Sequence, residues 1–152
     1  MSIWWCNQKR DWQQERQAGV VCAKQLTNNT YRKTVGDARS LDIIVHYRRP
    51  YIAAFSRARQ DGSYNDHLRL VNGHDYGSGW RFETDYWDLQ NPIHRNHFRQ
   101  ALIRPNPPKY YPITLNGDVM QGYFFPFDEA GLRVVLNHID EPLPPWLQPF
   151  IP

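Results

Sequence analysis

Alternating apolar and polar residues recur in short runs along this chain and predict a succession of short strands. Residues 3–6 (Ile-Trp-Trp-Cys) and 20–23 are brief stretches of aromatic, β-branched and small residues that read as strands. Residues 41–47 predict the clearest strand, with Ile43, Ile44 and Val45 in series. Arg48-Arg49-Pro50 predicts a tight turn, because a residue before proline avoids the helical region. Residues 51–59 then return as the second arm of a hairpin. Residues 80–89 place Trp80, Phe82, Thr84 and Tyr86 on one face, as a half-buried strand requires. Asn91-Pro92 is expected to end that strand. Residues 122–125 predict a last aromatic strand.

Helical period appears in three places. Asp11 is placed to cap a helix running to about Gln17, with Gly19 as the glycine that ends it. Residues 94–102 predict a short amphipathic helix. Residues 127–139 predict another, capped at Asp128, with Leu132, Val135, Leu136 and Ile139 on one face. Residues 25–40 are polar and turn-like, with a helical turn expected at 34–37. Residues 60–79 predict a long glycine-containing loop with a short strand at 68–71. Residues 105–112 are a proline-rich crossing. Short strands with three helices predict an α+β domain, a small mixed β-barrel flanked by the helices.

Length and composition narrow this further. The 152 residues suit one domain of residues 1–140, with residues 141–152 as a proline-rich linker or an arm packed on it. A chain ending in such a segment is expected to be a piece of a longer protein. The mean hydropathy is −0.72 and no apolar run approaches a membrane span, so no membrane partner is expected. No signal peptide is visible, and Cys6 and Cys22 do not form a metal or redox pair. A cytoplasmic protein with reduced cysteines is expected.

The net charge of +3 conceals a split. Residues 1–59 carry eleven Lys and Arg against four Asp and Glu, whereas residues 60–152 carry seven against eleven. Aromatics make up 14% of the chain, and Arg far outnumbers Lys. Arg forks and aromatic faces are the groups that grip phosphates and stack on bases.

Signatures of catalysis are sparse. There is no nucleophile elbow, P-loop, GxGxxG, HExxH or CxxC. His94 and His97 share a helical face, but no further ligand follows at metal spacing. Asp85 and Asp88 fall on opposite faces of a strand. No enzyme activity, cofactor or metal is expected of this chain. The aromatics carry more. Trp4-Trp5 lie on a strand that ends in Asn7-Gln8, and Tyr47, Trp80, Tyr86 and Tyr123 lie at or near strand ends. Asp42, His46, Ser56, Asn116 and Gln121 are polar groups near them. A stacking platform with amide and carboxylate edges is what reading an extruded base demands.

The segments Trp4-Trp5-Cys6-Asn7-Gln8, Glu15 with Gly19, Asp42 to Tyr47, Gly79-Trp80, Tyr86 to Ile93, and Asn116-Gly117 with Gln121-Gly122-Tyr123 run in order over about residues 3–139. Together they resemble the EVE-like domains of the PUA superfamily. The resemblance is nearest to the modified-cytosine-reading domain that begins certain modification-dependent restriction endonucleases of the EVE-HNH type. Val21 stands where the resemblance implies an aromatic. The resemblance implies a DNA-binding specificity domain that flips 5-methyl- or 5-hydroxymethylcytosine from duplex DNA into an aromatic pocket and targets a linked nuclease domain. It places Trp4 or Trp5, Tyr47, Trp80 and Tyr123 in the pocket walls. Asn7, Gln8, Asp42, Ser56 and Gln121 would bond the base edge. Arg32, Lys33, Arg39, Arg48, Arg49, Arg57 and Arg59 are the candidates for DNA-backbone contacts. The alternatives are a reader of N6-methyladenine or RNA with the same fold, or a pocket for a small molecule.

Overall fold

The first strand, β1 (Ile3–Asn7), is buried along its whole length. Successive side chains on a strand point to opposite faces, so Ile3 and Trp5 enter one core while Trp4 and Cys6 enter another. The computed structural model describes residues 1–26 and 30–152, and only the backbone of residues 30 and 31. Within the polar stretch 25–40, residues 27–29 lie outside the described residues.

β1 is followed by α1 (Trp12–Ala18), which Gly19 ends in the left-handed conformation at φ 67°, a conformation that costs glycine little. Asp11 precedes the helix but makes no side-chain cap bond. β2 (Val20–Lys24) comes next, then the short α2 (Thr30–Lys33) and a 3-10 turn at Thr34–Asp37. β3 (Ile43–Arg48) and β4 (Tyr51–Ala58) form the expected hairpin, closed through a cis Arg49–Pro50 bond. The long loop holds β5 (Ser63–Asn65) instead of a strand at 68–71, where a single bridge joins Arg69 to Asp75. β6 (Gly79–His94), α3 (Arg99–Leu102), β7 (Phe124–Phe127) and α4 (Glu129–Leu136) complete the elements. The Asp128 carboxylate accepts from the Gly131 N–H at 2.7 Å, the cap expected from the sequence.

The sheet runs β2-β6-β4-β3-β1-β7, with β5 on the side of β6. Among the described residues only β1 and β3 pair in parallel; the other strand pairs are antiparallel. The sheet curls into a half-barrel, so the chain is α+β as expected, with four short α-helices among the described residues. Inside the curl pack Trp4, Cys6, Val21, Val35, Ile44, Phe82 and Phe124. The other face is covered by α3, α4 and the C-terminal segment over Trp5, Val45, Phe55, Phe98 and Phe125. Among the described residues β2 and β7 do not pair with each other. Thr34 reaches across, its hydroxyl donating to the Phe124 carbonyl at 2.7 Å.

Pro92 does not end β6. Between Ala54–Asp88 and Ile52–Ile93 the pairing shifts, and the extra residues of β6 bulge outward. The bulge removes the need for an N–H at Pro92. Its exposed amides are met by the Glu141 carboxylate, which accepts from Gln90 N at 2.8 Å and Asn91 N at 3.0 Å. The proline-rich segment that Glu141 opens folds into a 3-10 turn at Pro145–Phe150, with Leu147 and Phe150 buried in the outer core. Removing a fully buried leucine side chain from a close-packed site costs about 3 kcal/mol. Leu147→Ala is therefore expected to lower the unfolding free energy by about that amount in urea titration. A loss below about 1 kcal/mol would show that the segment is not part of the core.

Candidate functional site

A cleft of about 1140 Å³ opens in the gap between the two unpaired sheet edges. β2 contributes Cys22 and Lys24 to it, the approach to β7 contributes Gln121, Gly122 and Tyr123, and the end of β1 contributes Asn7, Lys9 and Arg10. Tyr76 and Tyr110 add two further rings. Tyr110 holds φ 65°, a left-handed backbone uncommon for a bulky residue, under the Lys109 ammonium at 4.9 Å.

Glu15 lines this cleft although it is almost wholly buried. It shares the inward face of α1 with Trp12, three residues earlier, where a helix presents both side chains to the sheet. The Tyr123 hydroxyl donates to Glu15 Oε1, as does the Cys22 N–H at 3.4 Å. Gln8 Nε2 donates to Oε2 at 3.0 Å. Burial drives the Glu15 carboxyl up to about 7, against those three hydrogen bonds, with the Asp11 charge adding to the rise. Burial likewise pushes the Tyr123 phenol and the Cys22 thiol up, so both stay protonated near neutral pH.

Behind Glu15 runs a chain of buried polar groups whose directions are fixed by chemistry. Gln8 Nε2 also donates to the Tyr86 hydroxyl at 2.9 Å, and Tyr86 donates to the Val20 carbonyl at 2.8 Å. Gln8 Oε1 can only accept, so His46 Nδ1, 2.8 Å away, must carry the proton. His46 Nε2 then accepts from Ser56 at 2.6 Å, and Ser56 accepts from Thr84 at 2.7 Å. Burial and the Arg16 charge lower the His46 pKa to about 3, so the ring is neutral. Trp12 lies over this chain, its ring 6.2 Å from His46 and 6.0 Å from Tyr86. Ser56 and His46 have the spacing of a nucleophile and its base, but both are completely buried and reach no substrate.

The sequence-derived candidates therefore separate. Asn7, Gln121 and Tyr123 meet at the cleft, and Gln8 stands directly behind it. Asn7 also clips the neighbouring loop, donating to the carbonyls of Met120 and Gly122. Trp5 and Tyr47 pack together in the outer core, with ring centroids 5.4 Å apart, away from the cleft. The Trp5 indole is spent on Asn7 Oδ1 at 2.7 Å. Trp4 stacks on Phe124 inside the curl, and its indole donates to Asp42 at 2.9 Å. Asp42 is buried and also accepts from Ser2 N and Arg39 N, so it knots the chain together at the far end of the sheet. Leu41 beside it holds φ 75° to make that turn. Ser56 is enclosed in the His46 chain, and Trp80 packs against Tyr64 and Gly36 on β6.

The cations separate as well. Arg32 lines the cleft and donates to the Lys24 carbonyl at 3.4 Å, and Lys33 is exposed beside it. Arg39 is committed to the Gly36 and Ala38 carbonyls. Arg57 lies over Trp146, and Arg59 faces Glu83 and Asp85. These last three sit near the start of β3, whereas Arg48 and Arg49 crown its end beside Lys9 and Arg10. Composition gave no warning of Lys9, Arg10, Lys24, Glu15 and Cys22 as lining residues. The signal for Glu15 was a carboxylate on the same helical face as Trp12.

No family model matches the chain, and no curated protein matches it. Among solved structures it is similar to the NMR structure of Rpa0253 from Rhodopseudomonas palustris, a structural-genomics target. The identity is 15%, over 62% of this chain and 67% of that one, with a TM-score of 0.41. A likeness at that level carries no functional argument. Among the described residues no three His, Cys, Asp or Glu side chains gather as a metal site, and no helix is long and apolar enough to cross a membrane.

The shifted carboxyl has a measurable consequence. Between pH 4.5 and 7 the folded chain keeps a proton on Glu15 that the unfolded chain releases, so stability falls as pH rises through that window. The full effect is on the order of 3 kcal/mol. His46 acts in the opposite sense between pH 3 and 6.5, where only the unfolded chain takes up a proton. The two offset each other where the windows overlap. The unfolding free energy of wild type minus that of Glu15→Gln is expected to decline from pH 4.5 to 7, and a flat difference would contradict a buried neutral acid.

Proposed function

We propose that this domain binds duplex DNA and holds a modified cytosine, swung out of the stack, in the cleft floored by Glu15 and Tyr123. The observation that carries the reading is the make-up of that cleft. A hydrogen-bonding floor of acid, phenol and amide lies between aromatic side chains, under a rim of cations. Lys9, Arg10, Lys24 and Arg32 line it without a carboxylate at ion-pair distance among the described residues. Its volume exceeds the roughly 300–1,000 Å³ of an ordinary small-ligand pocket, which leaves room for a nucleotide with its flanking backbone.

The floor suits a cytosine edge. The exocyclic amine of cytosine is a donor and the adjacent ring nitrogen an acceptor. A carboxyl group near its own pKa can accept from the first and, when protonated, donate to the second. Glu15 Oε2 takes one hydrogen bond within the protein and has a lone pair left for such a contact. Tyr110 and Tyr76 supply rings against which the base can stack. Cys22 provides a small apolar contact for a methyl group, worth about 1 kcal/mol when that carbon is buried. On this reading the domain is the specificity module of a nuclease carried on the same polypeptide, as the sequence resemblance implies.

The test is a binding panel of otherwise identical duplexes carrying cytosine, 5-methylcytosine, 5-hydroxymethylcytosine or N6-methyladenine. A modified-cytosine duplex is expected to bind several-fold tighter than the plain one, with affinity falling steeply as salt rises. Arg10→Ala is expected to weaken every duplex alike. Equal affinity across the panel ends the modified-base reading. Preference for methyladenine moves the specificity to that base, and salt-insensitive binding ends the polyanion reading.

A further inference from the structure

Among the described residues three buried side-chain polar atoms have no hydrogen-bond partner: Gln14 Oε1 on α1, and the Tyr47 hydroxyl and Arg95 Nε near the β3–β4 hairpin. Buried polar groups in folded proteins are nearly always satisfied, so each orphan calls for a cause. Burial pushes the Tyr47 phenol up, while the Arg95 guanidinium, which lies within hydrogen-bonding reach of it, and the Arg49 charge oppose the rise, which places both cations beside the hydroxyl. Arg95 Nε–H can only donate, and a phenol whose neighbours are guanidinium groups has nothing there to donate to. The phenol oxygen can accept from a guanidinium, but the phenol proton and the Arg95 Nε proton have no acceptor of their own.

The surroundings make this a built arrangement. The Arg95 N–H donates to the Pro50 carbonyl at 2.9 Å, which fastens the 3-10 turn Arg95–His97 to the tip of the β3–β4 hairpin. Tyr51 and His94 pack edge to face at 5.3 Å just below that tip. Arg48 and Arg49 are exposed on the tip. Arg48, Arg49 and Arg95 have no carboxylate within ion-pair distance among the described residues, while seven other Arg side chains do. The tip also lies at the same end of the sheet as the cleft. β1 and β3 run parallel with Asn7 opposite Tyr47, so the hairpin tip and the Lys9-Arg10 loop leave the sheet side by side.

We propose that Arg49, Arg95 and the Tyr47 hydroxyl form a phosphate-binding site that takes a backbone phosphodiester of the nucleic acid whose base enters the cleft. A phosphate oxygen accepts from the hydroxyl and from Arg95 Nε at once, and the Arg49 guanidinium closes on a second oxygen. The site rests on the nucleic-acid reading of the cleft but is separable from it, because phosphate chemistry alone fills it.

Arg95→Gln and Tyr47→Phe test this in two assays. In the first, inorganic phosphate is titrated against the melting temperature. Phosphate is expected to raise that of the wild type, and neither variant is expected to respond. In the second, duplex DNA is titrated at several salt concentrations. Arg95→Gln is expected to weaken plain and modified duplexes alike by several-fold and to reduce the slope of log affinity against log salt by about 0.9. Tyr47→Phe is expected to weaken both duplexes with the slope unchanged, since it removes no charge. Without phosphate it keeps the ring packing and melts no lower than wild type. A lower melting point there would show that the hydroxyl is already satisfied within the fold, and would overturn the site. Unchanged duplex affinity in both variants would also overturn it. If the wild type binds no duplex but shows a phosphate shift that both variants lose, the nucleic-acid reading falls and the anion site stands.

Discussion

The parallel pairing of β1 with β3 is the constraint on which the rest of this molecule is arranged. Both strands are enclosed on two faces, so each must supply apolar side chains in both directions. That requirement splits Trp4 from Trp5 and Ile44 from Val45, and it generates two cores separated by one layer of backbone. The same register puts Gln8 just past the end of β1, with its N–H on the Tyr47 carbonyl at 2.9 Å, within reach of His46. The acid at the cleft, the polar chain behind it and the basic hairpin tip are thus all positioned by one pair of strands.

The polar chain from Thr84 to Glu15 illustrates how a buried network specifies structure. Each member has a partner, and its proton positions follow from which groups can only donate or only accept. Its cost is a histidine kept neutral and a carboxyl kept protonated below about pH 7, both by exclusion of water. What it supplies is a fixed orientation for Glu15 and Tyr123 at the gap between β2 and β7.

Much of this fold was legible in the sequence because local rules governed it. The hairpin around Pro50, the glycine end of α1 and the Asp128 cap all follow from residue chemistry within a few positions. Pro92 misled because a bulge, held by Glu141 about fifty residues away, excused its missing N–H. The site was legible only in part. Asn7, Gln121 and Tyr123 reached the cleft, but Trp5, Tyr47 and Asp42 did not. An aromatic or acidic residue in a strand has two faces to choose between, and long-range packing makes that choice. Glu15 is not legible as a site residue, because a glutamate in a short polar helix gives no sign of its burial until the sheet it covers is known.

β6 spans sixteen residues, and that length has a consequence for cooperativity. Its first half pairs with β2 and β5, and its second half with β4. Phe82 reaches the inner core, while Leu89 and Ile93 reach the outer one. A single stretch of backbone therefore belongs to both hydrophobic clusters. Neither can melt without disturbing the strand that completes the other, so the two clusters are expected to unfold together as one foldon rather than two.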